Sequence, residues 1–342
     1  MNVSQKNLRA KYQSVKPLKN QLIKRKKIVK QVIRIAVLAI ILMNIVAIFH
    51  SYKFTHFADT NIEKTQTPEQ LQFGGKLKAL FFGVNNPRPI NKTKPGGYYE
   101  TIHLQSNKKI ECWYLTKRDG MRADTVKGTV ILCHGYGGEK SSMLDKAEIF
   151  GNLDYNTFLV DFMGSGGSEG NTTTIGFKEA EQVKTAYDYL VNKGVKNIYL
   201  FGTSMGAVAV MKAIKDYDLK PEGIIIECPF GTMYKTVCAR FNNMNVPTFP
   251  MAGLLVFWGG VQNGFWAFNH NPEDYAKEIT CPVLLLYGEE DNNVSRKEID
   301  IIYSNLPGKK MLKTYQFAGH ENYLNKYRTE WTHDIEQFLD DN

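Results

Sequence analysis

Acidic residues are missing from the first 34 positions, where eleven cationic ones stand: Lys6, Arg9, Lys11, Lys16, Lys19, Lys24, Arg25, Lys26, Lys27, Lys30 and Arg34. Cysteine is scarce too. Five in 342 residues (Cys112, Cys133, Cys228, Cys238 and Cys281) form an odd set without a close CxxC pair, so neither a disulfide framework nor a metal site is expected. Cys133, Cys228 and Cys281 end apolar runs and read as small buried side chains. Proline and glycine, 12 and 28 in number, are too few for a collagen-like repeat, and a hydrophobic share of 43% excludes a disordered chain. The formal charge of +9 hides a division, because the chain beyond residue 34 carries 32 basic against 34 acidic residues, a net −2. Such a slightly acidic body gives no reason to expect a nucleic-acid partner.

Next to the basic tail lies an apolar run, Val32 to Phe49, eighteen residues interrupted only by Arg34 and Asn44. A bilayer needs about 17–25 apolar residues in a helix, so this run spans if Arg34 snorkels to the headgroups. Tyr52 and Phe54 follow as interfacial aromatics. Eleven cations on one flank against Lys53 on the other argue against a buried core helix. A basic region of 34 residues is long for a cleaved leader, and neither an Ala-x-Ala exit nor a lipobox cysteine follows. The expectation is an uncleaved signal-anchor at 32–51 that meets membrane lipids. The tail 1–31 is then cytoplasmic and the rest of this single-pass chain exterior or periplasmic. Lys24-Arg-Lys-Lys27 lacks interleaved aromatics and abuts the apolar run, which suits anionic headgroups better than nucleic acid.

Residues 52–97 read as a linker and an amphipathic segment. Within it Leu71, Phe73, Leu77, Leu80 and Phe81 recur at helical spacing between Pro68 and Phe82, and Pro87, Pro89, Pro95, Gly96 and Gly97 then break regular structure. From 98 to 342 a single α/β domain is expected. Tyr98–Leu104 and Ile110–Thr116 predict a hairpin. Short apolar runs follow at Thr129–Cys133, Thr157–Phe162, Asn197–Phe201, Gly223–Glu227, Pro282–Tyr287 and Leu312–Phe317. They do not alternate apolar with polar residues, as expected of parallel strands covered on both faces. The spacing of Ile175, Ala180, Val183, Ala186, Tyr187 and Leu190 predicts a helix over Ile175–Val191, stopped by Gly194. The pattern is an open, mostly parallel sheet of about eight strands, whose ligand site belongs at the strands' carboxyl ends.

Three features fall at those ends. Gly202-Thr203-Ser204-Met205-Gly206 stands where a strand gives way to a helix, and its glycines let backbone pass close to a sharply turned serine. Asp291 follows the run Val283–Tyr287, and His320 follows Leu312–Phe317. Ser204, Asp291 and His320 therefore stand in the chain order that a G-x-S-x-G fold uses for nucleophile, acid and base. Glu289 and Glu290 compete with Asp291, which has the better register between Gly288 and Val294. His320 leads by position. His333 lies in a helical stretch, His50, His56 and His103 precede the nucleophile, and His270 belongs to an insertion. His134-Gly135-Tyr136-Gly137-Gly138 offers an oxyanion loop, with the backbone N–H groups of Tyr136 and Met205 as donors and His134 and Gly135 as shaping residues. A phosphate cradle is excluded here by the lack of a Gly-Lys-Ser/Thr ending, and Gly164-Ser-Gly-Gly167 lacks G-x-G-x-x-G spacing.

These motifs carry a resemblance. Residues from about Leu77 onward resemble the α/β-hydrolase fold, in particular serine hydrolases of the Bem46-like type and the S33-like serine aminopeptidase group. The likeness rests on His134–Gly138, Asp161-Phe-Met-Gly-Ser-Gly-Gly-Ser168, Gly202–Gly206, Cys281-Pro-Val-Leu-Leu-Leu-Tyr-Gly288 with Asp291, and Gly319-His320. It implies an eight-stranded sheet with helices on both faces and a small cap inserted at about 231–280. The cap's aromatics, Phe230, Phe241, Trp258 and Trp266 among them, then line a hydrophobic substrate pocket or pack the cap on the sheet. Four glycines with Gln262 and Asn263 argue against a second membrane span at Met251–Phe268. The expected activity is cofactor-free hydrolysis of small-molecule or lipid esters. The alternatives are a serine peptidase or amidase, for which Glu227, Glu289 and Glu290 are the candidate amine-binding carboxylates, and a non-catalytic binding module on the same scaffold.

Overall fold

The computed structural model describes residues 3–58, 61–66, 72–116 and 126–342. One helix, α1 (Val3–Thr55), contains the expected anchor. Its stretch Gln21–Thr55 is long and apolar enough to cross a membrane, and Val32, Ile35, Leu38 and Leu42 are exposed along it. The chain divides into two units, Met1–Ala47 and Ile48–Asn342. The second unit takes in the last turns of α1, where Ser51 and Thr55 are buried. The polar stretch beyond residue 51 is therefore helical to Thr55, and His56 and Ala58 then bridge to Thr172 and Pro87. Helix α2 (Phe73–Phe82) occupies the amphipathic segment. Pro68 and Leu71, and the side chains of Phe73, Leu77, Leu80 and Phe81, lie outside the described residues, as do those of the tail before residue 21.

The strands are β1 (Tyr99–Gln105), β2 (Lys109–Leu115), β3 (Gly128–Cys133), β4 (Tyr155–Val160), β5 (Ile198–Thr203), β6 (Gly223–Glu227), β7 (Val283–Gly288) and β8 (Lys310–Tyr315). They form one eight-stranded sheet in the order β1-β2-β4-β3-β5-β6-β7-β8. Within this sheet, among the described residues, only the β1–β2 and β2–β4 pairings are antiparallel. The helices that follow are α3 (Leu144–Asn152), α4 (Glu179–Asn192), α5 (Met205–Tyr217), α6 (Met233–Asn243), α7 (Met251–Asn263), α8 (Pro272–Tyr275), α9 (Arg296–Asn305), α10 (Tyr323–Lys326) and α11 (Arg328–Asp340). Alternate strand residues face opposite layers. Ile198 and Leu200 of β5 pack with Val183 and Ala186 of α4 and Val208 of α5. Tyr199 and Phe201 pack with Phe150 of α3 and Trp331 of α11. Each large apolar side chain so buried contributes about 1.5–3 kcal/mol. The expected cap lies between β6 and β7 and consists of α6, α7 and α8.

Helix α4 begins at Glu179, four residues later than the apolar spacing predicts. The Glu179 carboxylate accepts from Thr173 Oγ1, from the N–H and Oγ1 of Thr174 and from Gly176 N. That wraps 173–176 into a loop with Ile175 at φ 58° and Gly176 at φ 97°. A second buried acid, Asp161, organises the turn after β4. It accepts from Lys140 N (2.7 Å), Asn91 Nδ2 (2.8 Å) and Gly167 N (2.8 Å), and it pairs with Lys140 Nζ, both side chains being fully buried.

Candidate active site

At the β5–α5 turn Ser204 takes φ 51° and ψ −111°, a conformation that costs an L-residue about 1–3 kcal/mol. The turn is held by Ser204 N–H donating to Glu227 O (2.8 Å) and Val208 N–H donating to Ser204 O (3.1 Å). It also explains both glycines. A Cβ on Gly206 would lie 2.2 Å from Cys133 O, and one on Gly202 2.5 Å from Ala207 N.

The three loops bring Ser204, His320 and Asp291 together. His320 Nε2 is 3.0 Å from Ser204 Oγ, and His320 Nδ1 is 2.7 Å from Asp291 Oδ2. The other carboxylate oxygen accepts from Asn293 N (2.7 Å) and Val294 N (2.9 Å). Asp291 is buried and can only accept, so Nδ1 carries the ring proton and Nε2 is left to accept from the serine. Glu289 and Glu290 are exposed. Cys228, at φ 40°, completes the setting, with its sulfur, an Asp291 oxygen and a His320 nitrogen all within 4.8 Å of one another.

Burial opposes a charged His320 ring, but the neighbouring Cys228 and the Asp291 acceptor outweigh it and hold the imidazolium well above its ordinary range. A base must be neutral to accept a proton, so activity should fall as pH drops through that raised value. A kcat/KM profile is expected to show its acid limb above the usual imidazole range, and a limb below that range would contradict the assignment of His320 as base. The linkage to stability has the opposite sense. A raised folded-state value stabilises below the unfolded value, and that contribution disappears as pH rises through the folded one.

His134 and His270 are engaged elsewhere. His134 Nδ1 donates to Gly135 O (2.8 Å), while Nε2 accepts from Phe162 N (3.1 Å), and burial keeps the ring neutral. His270 lies between Tyr275 Oη and Ile175 O, and burial lowers it to about 4. His333 is exposed on α11. The His134–Gly138 loop lies against the nucleophile turn: a Cβ on Gly135 would be 3.3 Å from Thr203 O and 3.7 Å from Ser204 Cβ.

Four pocket candidates divide into two groups. Phe230 and Phe241 are buried, Phe230 edge-on to His270 at 5.6 Å. Trp258 and Trp266 both pack on Phe257, and Trp266 is 53% exposed. Beneath Ser204 the sequence gives no warning of a polar network on Glu227. It is fully buried and accepts from Thr203 Oγ1 (2.8 Å) and Trp331 Nε1 (2.7 Å), with Lys146 Nζ at 3.9 Å. Phe54, expected as an interfacial aromatic, touches the His134–Gly138 loop, and 82 residues of separation leave no local signal for that contact.

Residues 124–267 match the family described as serine aminopeptidase, S33. The YqkD protein of Bacillus subtilis is 26% identical over 216 residues, which cover 62% of this chain and 71% of YqkD. The bem46 protein of Schizosaccharomyces pombe is 25% identical over 213 residues, 60% of this chain and 64% of its own. Among solved structures, the Pyrococcus furiosus esterase Pf2001 aligns with a TM-score of 0.61 over 75% of this chain and 98% of its own at 21% identity, a likeness of fold.

Proposed function

We propose that this chain, which has the α/β-hydrolase fold and is similar to Bem46-like proteins, is a membrane-anchored serine hydrolase cleaving carboxylic esters, lipid-derived esters included. The observation that carries this reading is the line Asp291–His320–Ser204, with contacts of 2.7 and 3.0 Å. Ser204 Oγ attacks the ester carbonyl carbon while His320 Nε2 takes its proton. The alkoxide that develops accepts from the backbone N–H groups of Tyr136 and Met205, each worth about 2.7–4 kcal/mol of barrier. His320 then returns the proton to the departing alcohol, and the acyl group stays on Ser204. A water loses its proton to His320, attacks the acyl carbon and releases the acid, and Ser204 recovers its proton. Asp291 orients the ring and offsets its charge in both halves.

Two observations favour an ester over an aminopeptidase substrate. Glu227 is fully buried and committed to Thr203 and Trp331. Glu289 and Glu290 are exposed, and Arg296 lies 3.9 Å from Glu289. Retention of the anchor is supported by bonds beyond residue 50. Ser51 Oγ donates to Gln262 Oε1 (3.1 Å), and Phe57 N–H donates to Asn171 O (2.6 Å). Cleavage after Thr55 would remove the first of these and release α1 from the hydrolase body.

The test is fluorophosphonate labelling of the wild-type chain, with turnover of p-nitrophenyl esters of graded acyl length and of aminoacyl anilides. Labelling with ester turnover above anilide turnover is expected. An unlabelled folded protein would overturn the hydrolase reading, and faster anilide turnover the choice of substrate. A reporter that is active only in the periplasm, fused after Asn342, should be active, and silence would overturn the orientation.

A further inference from the structure

The last turn of α1 is built into the two loops that flank Ser204. Phe54 stacks on Tyr136 with ring centroids 4.7 Å apart and planes 8° from parallel. Tyr136 Oη donates to the Phe54 carbonyl at 2.7 Å. On the cap side, the Arg240 guanidinium lies 4.7 Å from the centre of the Phe54 ring. The next residue reaches the other loop. Thr55 O accepts from Thr173 N (2.9 Å), and Thr173 Oγ1 lies 3.3 Å from Met205 Sδ.

These contacts matter because Tyr136 stands between Gly135 and Gly137, the latter at φ 67°. Glycine neighbours leave a peptide plane few steric limits. The direction of the Tyr136 N–H therefore depends on how firmly its side chain is held, and the phenol is held by Phe54 at both ring and hydroxyl. We infer that Phe54 is a positioning residue for the oxyanion hole, so that the turn by which the chain leaves its anchor is part of the catalytic apparatus. This rests on the serine-hydrolase reading above. A donor that swings away from the developing alkoxide weakens transition-state binding and leaves ground-state binding alone, so the loss belongs in kcat.

The experiment uses the full chain in detergent with a soluble ester. Phe54→Ala is expected to lower kcat by about ten- to a hundredfold with KM changed by less than about twofold, the size of effect a misplaced group produces. Phe54→Tyr, which keeps ring and carbonyl, should restore kcat. A boronate that forms a tetrahedral adduct on Ser204 should lose affinity for Phe54→Ala in step with kcat/KM. Unchanged kcat in Phe54→Ala, a loss confined to KM, or an equal loss in Phe54→Tyr would each overturn the inference. Should Phe54→Ala not fold, Phe54→Leu keeps apolar volume without the ring, and wild-type kcat there would overturn it equally. The two readings fail separately. Wild-type protein that resists fluorophosphonate removes the hydrolase reading, whereas a labelled, fully active Phe54→Ala removes only the positioning role.

Discussion

Ser204→Ala is expected to lower kcat for ester hydrolysis by about a million-fold, to the level left by binding and backbone donors alone. Alanine keeps the Cβ that already sits at φ 51°, so the fold should be unaffected and the loss chemical. In the proposed mechanism the serine, imidazole and carboxylate act as one relay. His320→Ala should therefore cost about as much, and the double variant little more than either alone, because a relay broken once has nothing further to lose. Asp291→Asn separates orientation from proton transfer. Asp291 Oδ2 accepts from His320 Nδ1 at 2.7 Å, and an amide N–H in that place would turn Nδ1 into an acceptor and move the ring proton to Nε2. That tautomer cannot accept from Ser204, and a loss of about 10⁴ in kcat is expected with the geometry intact. The measurement is steady-state turnover per folded protein, with the wild type's active sites titrated by fluorophosphonate. Ser204→Ala turnover within tenfold of wild type would remove Ser204 as nucleophile.

The parts of this relay that could be read from the sequence are those whose signal is local. Gly202–Gly206 announces its own turn, because the backbone passes too close for side chains on either glycine. Asp291 follows an apolar run that is the fully buried strand β7, and His320 follows the run that ends the edge strand β8. The reading weakens where residues answer to distant partners. The run Thr157–Phe162 predicts a strand two residues beyond the end of β4 at Val160, because Phe162 N–H donates to His134 Nε2 and belongs to the loop instead. The run Leu312–Phe317 misses the start of β8 at Lys310, since an edge strand lacks an unbroken apolar signal. Lys310 Nζ there caps the carbonyls of Tyr303 and Leu306. Aromatic content in the cap shows that rings are buried somewhere but not against what, and Phe230 and Trp266 end in unlike surroundings. The Phe54–Tyr136 stack is of the same kind: both residues look ordinary until the fold joins them.

Asp161→Ala should be the most damaging substitution for stability that leaves the relay residues untouched. Its carboxylate holds three N–H donors and the Lys140 ammonium, with both side chains fully buried. Removing one member of a buried pair strands the other, at a cost of about 3–5 kcal/mol. That is a large part of the 5–15 kcal/mol by which domains are usually stable. Glu111 Oε1, 2.7 Å from Lys140 Nζ, and the Trp113 ring, 4.3 Å away, limit the damage without replacing the lost acceptors. Asp161→Asn keeps an acceptor for Lys140 N and should cost less, about 1–3 kcal/mol. Urea unfolding of the full chain in detergent provides the measurement. The order Ala worse than Asn is the informative result, because equal losses would mean that the charge, not the set of acceptors, holds the turn. The turn also bears on catalysis. The Phe162 N–H that follows Asp161 donates to His134, and His134 in turn donates to Gly135 O beside Tyr136. Partial unfolding at Asp161 should therefore slow fluorophosphonate labelling of Ser204 before the whole domain unfolds, which ties the buried ion pair to the His134–Gly138 loop through a single histidine.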